Sequence, residues 1–66
     1  MQIWLNNFAE NIEEKSLHKL LESKQLTNKK GIAIAVNEYV IPKTKWETTS
    51  LNEGDKITII QATAGG

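Results

Sequence analysis

Only one stretch of this chain has helical spacing, and it is short. Leu17, Leu20 and Leu21 fall at i, i+3 and i+4, which makes a single apolar stripe. Ser16 before them is a good N-cap, because its hydroxyl can accept a bond from an orphan amide of the first turn. Lys19, not an acid, stands three positions after the cap, so there is no capping box. Lys24 suits the negative pole of the helix dipole. The spacing predicts a helix over 16–25. One three-leucine stripe covers one face of one sheet, so the chain is limited to two layers. The other sheet face is left to solvent or to a partner.

The size of the chain sharpens this limit. Its 66 residues allow one domain, and a chain this short buries only about 60% of the surface its unfolded form exposes. It has no cysteine, so no disulfide can staple it and no thiolate can hold a metal. Eight lysines balance eight acidic residues. Arginine is absent, which argues against a nucleic-acid partner. The longest apolar run, from Gly31 to Val36, is too short to span a membrane. No basic segment precedes an apolar one at the start, so no secretory signal is visible. The expected location is the cytoplasm, or the plastid stroma if the chain is organelle-encoded.

Most of the remaining sequence reads as strands. Met1, Ile3 and Leu5 alternate with Gln2 and Trp4. Asn6-Asn7 is a tight-turn pair, since Asn tolerates positive φ. Phe8 to Ile12 is the returning strand, with Glu10 on the same face as Phe8 and Ile12. Ile32 to Val36 alternates large with small apolar residues, Ala33 and Ala35 facing away from the core. Asn37-Glu38 is a second turn, and Tyr39-Val40-Ile41 a short strand ended by Pro42. The segment 43–50 has no clear period, and Trp46 is its one large apolar anchor. Asn52-Glu53-Gly54-Asp55 is a turn with Gly54 at positive φ. Lys56 to Thr63 is the last strand, with Ile57 and Ile59 on one face and Thr58, Ile60 and Ala62 on the other. These elements form an α+β domain of about five strands with the helix on one side.

The sequence ends Ala62-Thr63-Ala64-Gly65-Gly66. Side chains shrink along this stretch until there are none. Two terminal glycines occupy little volume and take almost any backbone angle, so residues 62–66 are expected to form a flexible tail on the domain. Such a tail can thread a narrow channel and present its carboxylate to another protein's active site.

Val36-Asn37-Glu38-Tyr39-Val40-Ile41-Pro42-Lys43-Thr44-Lys45-Trp46 is similar to a stretch of the ThiS family, the sulfur carrier proteins of thiamine biosynthesis. That family shows Val-Asn, a short hydrophobic strand, Pro, a basic residue and Trp at this spacing. Leu51 to Asp55 resembles its Leu-x-x-Gly-Asp turn, and Ala64-Gly65-Gly66 its tail. The resemblance covers essentially the whole chain. Two departures stand out: Glu38, where glycine is often found, and Lys43, where arginine is usual.

The resemblance implies a β-grasp, ubiquitin-like fold, with the first and last strands parallel at the sheet's centre. It also implies chemistry at the Gly66 carboxylate. A ThiF-like adenylating enzyme would activate it with ATP, sulfur would replace AMP to give a thiocarboxylate, and a ThiG-like thiazole synthase would accept the sulfur. The chain itself would bind no cofactor or metal and would be a monomer when free, a protein co-substrate rather than an enzyme. Ala64, Gly65 and Gly66 would thread the partner active sites. A terminal carboxyl is ionised at neutral pH and is a poor electrophile until a leaving group is supplied.

Strand parity adds a docking surface. If the first and last strands are neighbours, Trp4 and Ile60 lie beside each other on the outer face, extended by Thr58, Ala62, Ala33 and Ala35. An exposed aromatic beside an exposed isoleucine is a mark of a binding site. Other residues read as structural. His18 has no Cys, second His or carboxylate cluster beside it. Glu13-Glu14 is a solvated connection, Lys29-Lys30 is loop charge, and Trp46 is a core anchor. The rival readings are the sulfur-carrying small subunit of molybdopterin synthase, which tends to be longer and lacks the Pro-basic-Trp stretch, a ubiquitin-like modifier, and a plain interaction domain.

Overall fold

The computed structural model describes residues 1–61. The expected tail over 62–66, and the last two residues of the expected final strand, lie outside them. Five strands, a helix and a 3-10 helix follow in the order β1 (Gln2–Leu5), β2 (Phe8–Asn11), α1 (Leu17–Ser23), β3 (Ile32–Val36), β4 (Tyr39–Ile41), the 3-10 helix (Lys43–Thr48) and β5 (Lys56–Gln61). The strands form one sheet in the order β2-β1-β5-β3-β4. β1 and β5 are parallel and adjacent, and the other neighbours are antiparallel. β5 is the central strand. This is the β-grasp arrangement.

Both hairpins turn on two residues with positive φ. Asn6 and Asn7 stand at 48° and 71°, Asn37 and Glu38 at 51° and 74°. Those angles match the turn whose twist suits flanking strands. The Asn37-Glu38 turn is therefore of this type, with a glutamate in a conformation that favours glycine. Gly54 has φ +84, as expected for its turn.

α1 is shorter than the sequence suggests. Ser16 caps it, its Oγ accepting from the Lys19 N–H at 3.3 Å. The helix stops at Ser23 because Gln25 takes φ +60. The Leu26 N–H then donates to Leu21 O at 2.8 Å, and the Gln25 N–H to Glu22 O at 3.0 Å. This paired closure is the Schellman motif, and it satisfies carbonyls that the helix end would orphan. Lys24 caps the helix and pairs with Glu10. That contact explains how an acid occupies the core-facing side of β2.

The core lies between α1 and the inner sheet face. Ile3, Leu17, Leu20, Leu21, Ile34 and Ile57 are fully buried, and Ile12, Val36, Trp46 and Leu51 join them. Segment 43–50, without period in the sequence, winds as the 3-10 helix beside α1. It buries Trp46, whose indole N–H donates to Ile41 O at 2.9 Å. Lys43 Nζ lies 6.0 Å from the Trp46 ring centroid, within cation–π range. The Leu17 N–H donates to Thr49 O at 3.0 Å, joining this segment to the start of α1, and just beyond it the Leu51 N–H donates to Lys15 O at 2.8 Å. Buried Asp55 accepts from Asn37 Nδ2 at 2.9 Å and from the Asn52 N–H at 2.8 Å, fixing the β3–β4 turn against the start of β5. Phe8 departs from expectation. It shares the inner face with Leu5, but it stands at the sheet's edge beyond the reach of α1 and is 76% exposed.

Candidate functional site

β5 leads to the chain's end and lies at the centre of the sheet, so β1 and β3 both fix it. Ile32 pairs with Gln61 at its last described residue, Ala33 with Ile60, and Ala35 with Thr58. Ile57 and Ile59 point to the core, and Thr58 and Ile60 are exposed on the outer face. The other candidate positions, Ala62, Ala64, Gly65 and Gly66, lie outside the described residues.

α1 covers only the inner face, so the outer one is bare. Trp4 is 43% exposed and Ile60 is 54% exposed. They are not beside each other, however. β1 and β5 pair with Trp4 opposite Lys56 and Leu5 opposite Ile57, which leaves Ile60 four positions further along β5. At about 3.3 Å per residue, the two side chains stand roughly 13 Å apart along the strand. Parity gave the face but not the register. Trp4 lines a shallow hollow with Asn7 and Lys56, while Ile60 stands opposite Ala33 near the last described residue of β5. Ala35 also differs from expectation. It belongs to the outer face, but its small side chain lies between Thr58 and Val40 in register and is buried.

Sequence reasoning missed Val40, which is 69% exposed and opposite Ala35 on this face. The signal was present: a two-residue turn at Asn37-Glu38 forces that pairing. Ile60, Ala33, Ala35, Thr58 and Val40 thus make one continuous surface across β5, β3 and β4, and Trp4 flanks it on β1. Lys56 is the one charged residue among the outward strand positions described. Desolvating this surface therefore strips water from few charges, which suits an interface centre.

The groove between α1 and the 3-10 helix has another character. His18, Glu22, Lys43 and Glu47 line it, with His18 Nε2 at 3.9 Å from Glu47. Glu22, Lys43 and Glu47 bring both signs of charge to it, and among the described residues no group of three or more His, Cys, Asp or Glu could hold a metal ion. No helix among the described residues is long and apolar enough to cross a membrane.

Sequence comparison extends the match to the chain's end. The family model described as the ThiS family matches residues 4–66. The chain belongs to the ThiS family. It is 35% identical over 68 residues to the "Sulfur carrier protein ThiS" of Escherichia coli (strain K12), with all of both chains covered. Solved structures give the same fold for this ThiS-family chain. It resembles the crystal structure of the thiamine biosynthesis protein ThiS from Geobacter metallireducens with a TM-score of 0.84, at 16% identity and with both chains fully covered. The solution structure from the same organism gives 0.79, covering all of this chain and 88% of that one, again at 16% identity.

Proposed function

We propose that this chain is a sulfur carrier protein of thiamine biosynthesis, and that its Gly66 carboxylate carries the sulfur. The observation that carries this reading is the full-length family match, which runs through the terminal Gly65-Gly66. The chemistry is what the family resemblance implies. A carboxylate oxygen attacks the α-phosphorus of ATP on a ThiF-like adenylating enzyme, and pyrophosphate leaves. Sulfur at the sulfide level, from a sulfur donor, then adds to the acyl carbon, AMP leaves, and the terminus becomes a thiocarboxylate. The thiocarboxylate passes its sulfur to a ThiG-like thiazole synthase. In this reading the activating groups belong to the partner, and the chain, which has no thiol, carries the sulfur on its terminal carboxylate. It acts as a co-substrate.

The test is a loading assay with adenylating enzyme, ATP and a sulfur donor, read by intact mass. The expected product is the whole chain with one oxygen replaced by sulfur. Removing Gly66 takes away no side chain and shortens the reach, so the truncated protein should melt as the parent does and accept no sulfur. A truncated chain that loads at the parent rate overturns the mechanism. A product joined to lysine would move the chain to the modifier class.

A further inference from the structure

The hollow lined by Trp4, Asn7 and Lys56 is rich in donors and poor in acceptors. All three residues are exposed. Trp4 and Lys56 are register partners across the β1–β5 pair, and Asn7 stands in the β1–β2 turn with φ +71. An indole and an ammonium donate without accepting, so the only side-chain acceptor is the Asn7 amide oxygen. Among the described residues, Lys56 has no counter-ion: the ion pairs there are His18–Glu47 and Lys24–Glu10. The acids closest to it in sequence are engaged elsewhere. The Glu53 carboxylate accepts from the Gln2 N–H at 3.0 and 3.1 Å, and buried Asp55 accepts from Asn37 and Asn52. Thr58, Ile60, Ala33, Ala35 and Val40 carry no charge across the rest of the face. Adjacent strands lie about 4.8 Å apart, so a partner that covers Trp4 also covers Lys56. An ammonium taken out of water without a counter-charge is strongly destabilising. A partner that fits this face therefore brings an anion, and the anionic side chains of a protein are the carboxylates of Asp and Glu.

We propose that the Trp4–Asn7–Lys56 hollow receives a carboxylate side chain of the adenylating enzyme, and that Lys56 thereby selects that partner. The proposal rests on the sulfur-carrier reading above. Lys56 opens β5, and at about 3.3 Å per residue it stands roughly 16 Å before Gln61 along the strand. The hollow is thus an anchor at the opposite end of β5 from the one that leads to the chain's end. Such an anchor binds ground state and transition state alike, so it acts on affinity and leaves kcat as it is. Lys56 is a binding residue, with no part in the chemistry.

In the full chain, Lys56→Gln removes the charge, Lys56→Arg keeps it and Lys56→Glu reverses it. Isothermal titration against the adenylating enzyme gives Kd, and pyrophosphate release at saturating carrier gives kcat. Lys56→Gln is expected to raise Kd about tenfold and Lys56→Glu about a hundredfold. Lys56→Arg should stay within about threefold of the parent, and kcat should change by less than about twofold throughout. The side chain is exposed, so all three variants should melt as the parent does. Lys19→Gln makes the same change of net charge at an exposed position of α1, on the other side of the sheet, and should bind as the parent does. An equal loss in Lys19→Gln would reveal general field steering instead of a site and overturns the proposal. So does an unchanged Kd in folded Lys56→Gln, or a fall in kcat with Kd intact. A charge swap identifies the anion. Among enzyme variants that each have one exposed acid changed to lysine, one is expected to bind the Lys56→Glu carrier more tightly than the parent carrier. If none does, the hollow holds no carboxylate of that enzyme. If the unsubstituted chain is not adenylated at all, the carrier reading itself fails, an outcome seen before any substitution is made.

Discussion

Glu38 and Gln25 hold left-handed backbone angles, 74° and 60°, that a side chain makes costly. The penalty is about 1–2 kcal/mol for a residue with a Cβ, partly offset in a glycine variant by its larger unfolded-state entropy. Glu38→Gly and Gln25→Gly should therefore each stabilise the fold by roughly 0.5–1 kcal/mol, a rise of about 2–8 °C in Tm for a domain of this size. Thermal melts of the two variants check this. Asn37→Gly is the control. Asn tolerates the angle better, and its side chain bonds both Asp55 and the Lys56 amide, so that variant should lose stability. A gain for Asn37→Gly would show that backbone strain outweighs those two side-chain bonds.

At the scale of elements, α1 is the sole α-helical cover of the inner face among the described residues, and it is only seven residues long. Leu20 is buried between it and the sheet. Leu20→Ala should cost about 2–5 kcal/mol, against a total of roughly 3–10 for a chain of this length. Urea titration should find the variant largely unfolded or close to it. A loss below about 1 kcal/mol would mean that the site collapses without leaving a cavity. The leucine spacing made this helix legible in the sequence, along with its cap at Ser16 and the alternation of β1, β3 and β5. Its end was not, because Gln25 is not the glycine that ordinarily marks such a stop. The 3-10 helix was illegible for another reason. Its one buried residue, Trp46, gives no period, and its place is set by the Trp46 bond to Ile41 O and by the Leu17 N–H bond to Thr49 O at its end. The family motif located Trp46 without explaining it; the cation–π contact from Lys43 and the bond to Ile41 O supply a reason for Pro-basic-Trp spacing.

For the molecule as a whole, parity showed which face is bare but not where its residues lie along it, because register depends on partner strands that a sequence does not name. The correction at Trp4 and Ile60 changes the expected energetics of docking. Had the two been in contact, their contributions would couple; at roughly 13 Å apart they should act independently. A standard interface covers about 800 Å² on each partner, enough to include both. Trp is enriched among interface residues whose truncation costs most, and Ile60 is next to last among the described residues of β5, towards the end that the proposed function puts in a partner's active site. Trp4→Ala and Ile60→Ala should each weaken binding to the adenylating enzyme at least about tenfold, or roughly 1.4 kcal/mol, and the double variant about a hundredfold. Both side chains are substantially exposed, so melts should change by only a few degrees, on the scale of ~4–8 °C per kcal/mol. Isothermal titration of the two singles and the double against the same enzyme is the measurement. Parent-like affinity in folded single variants would move recognition off this face, and a double variant no weaker than its worse parent would mean that the enzyme covers only one end of it.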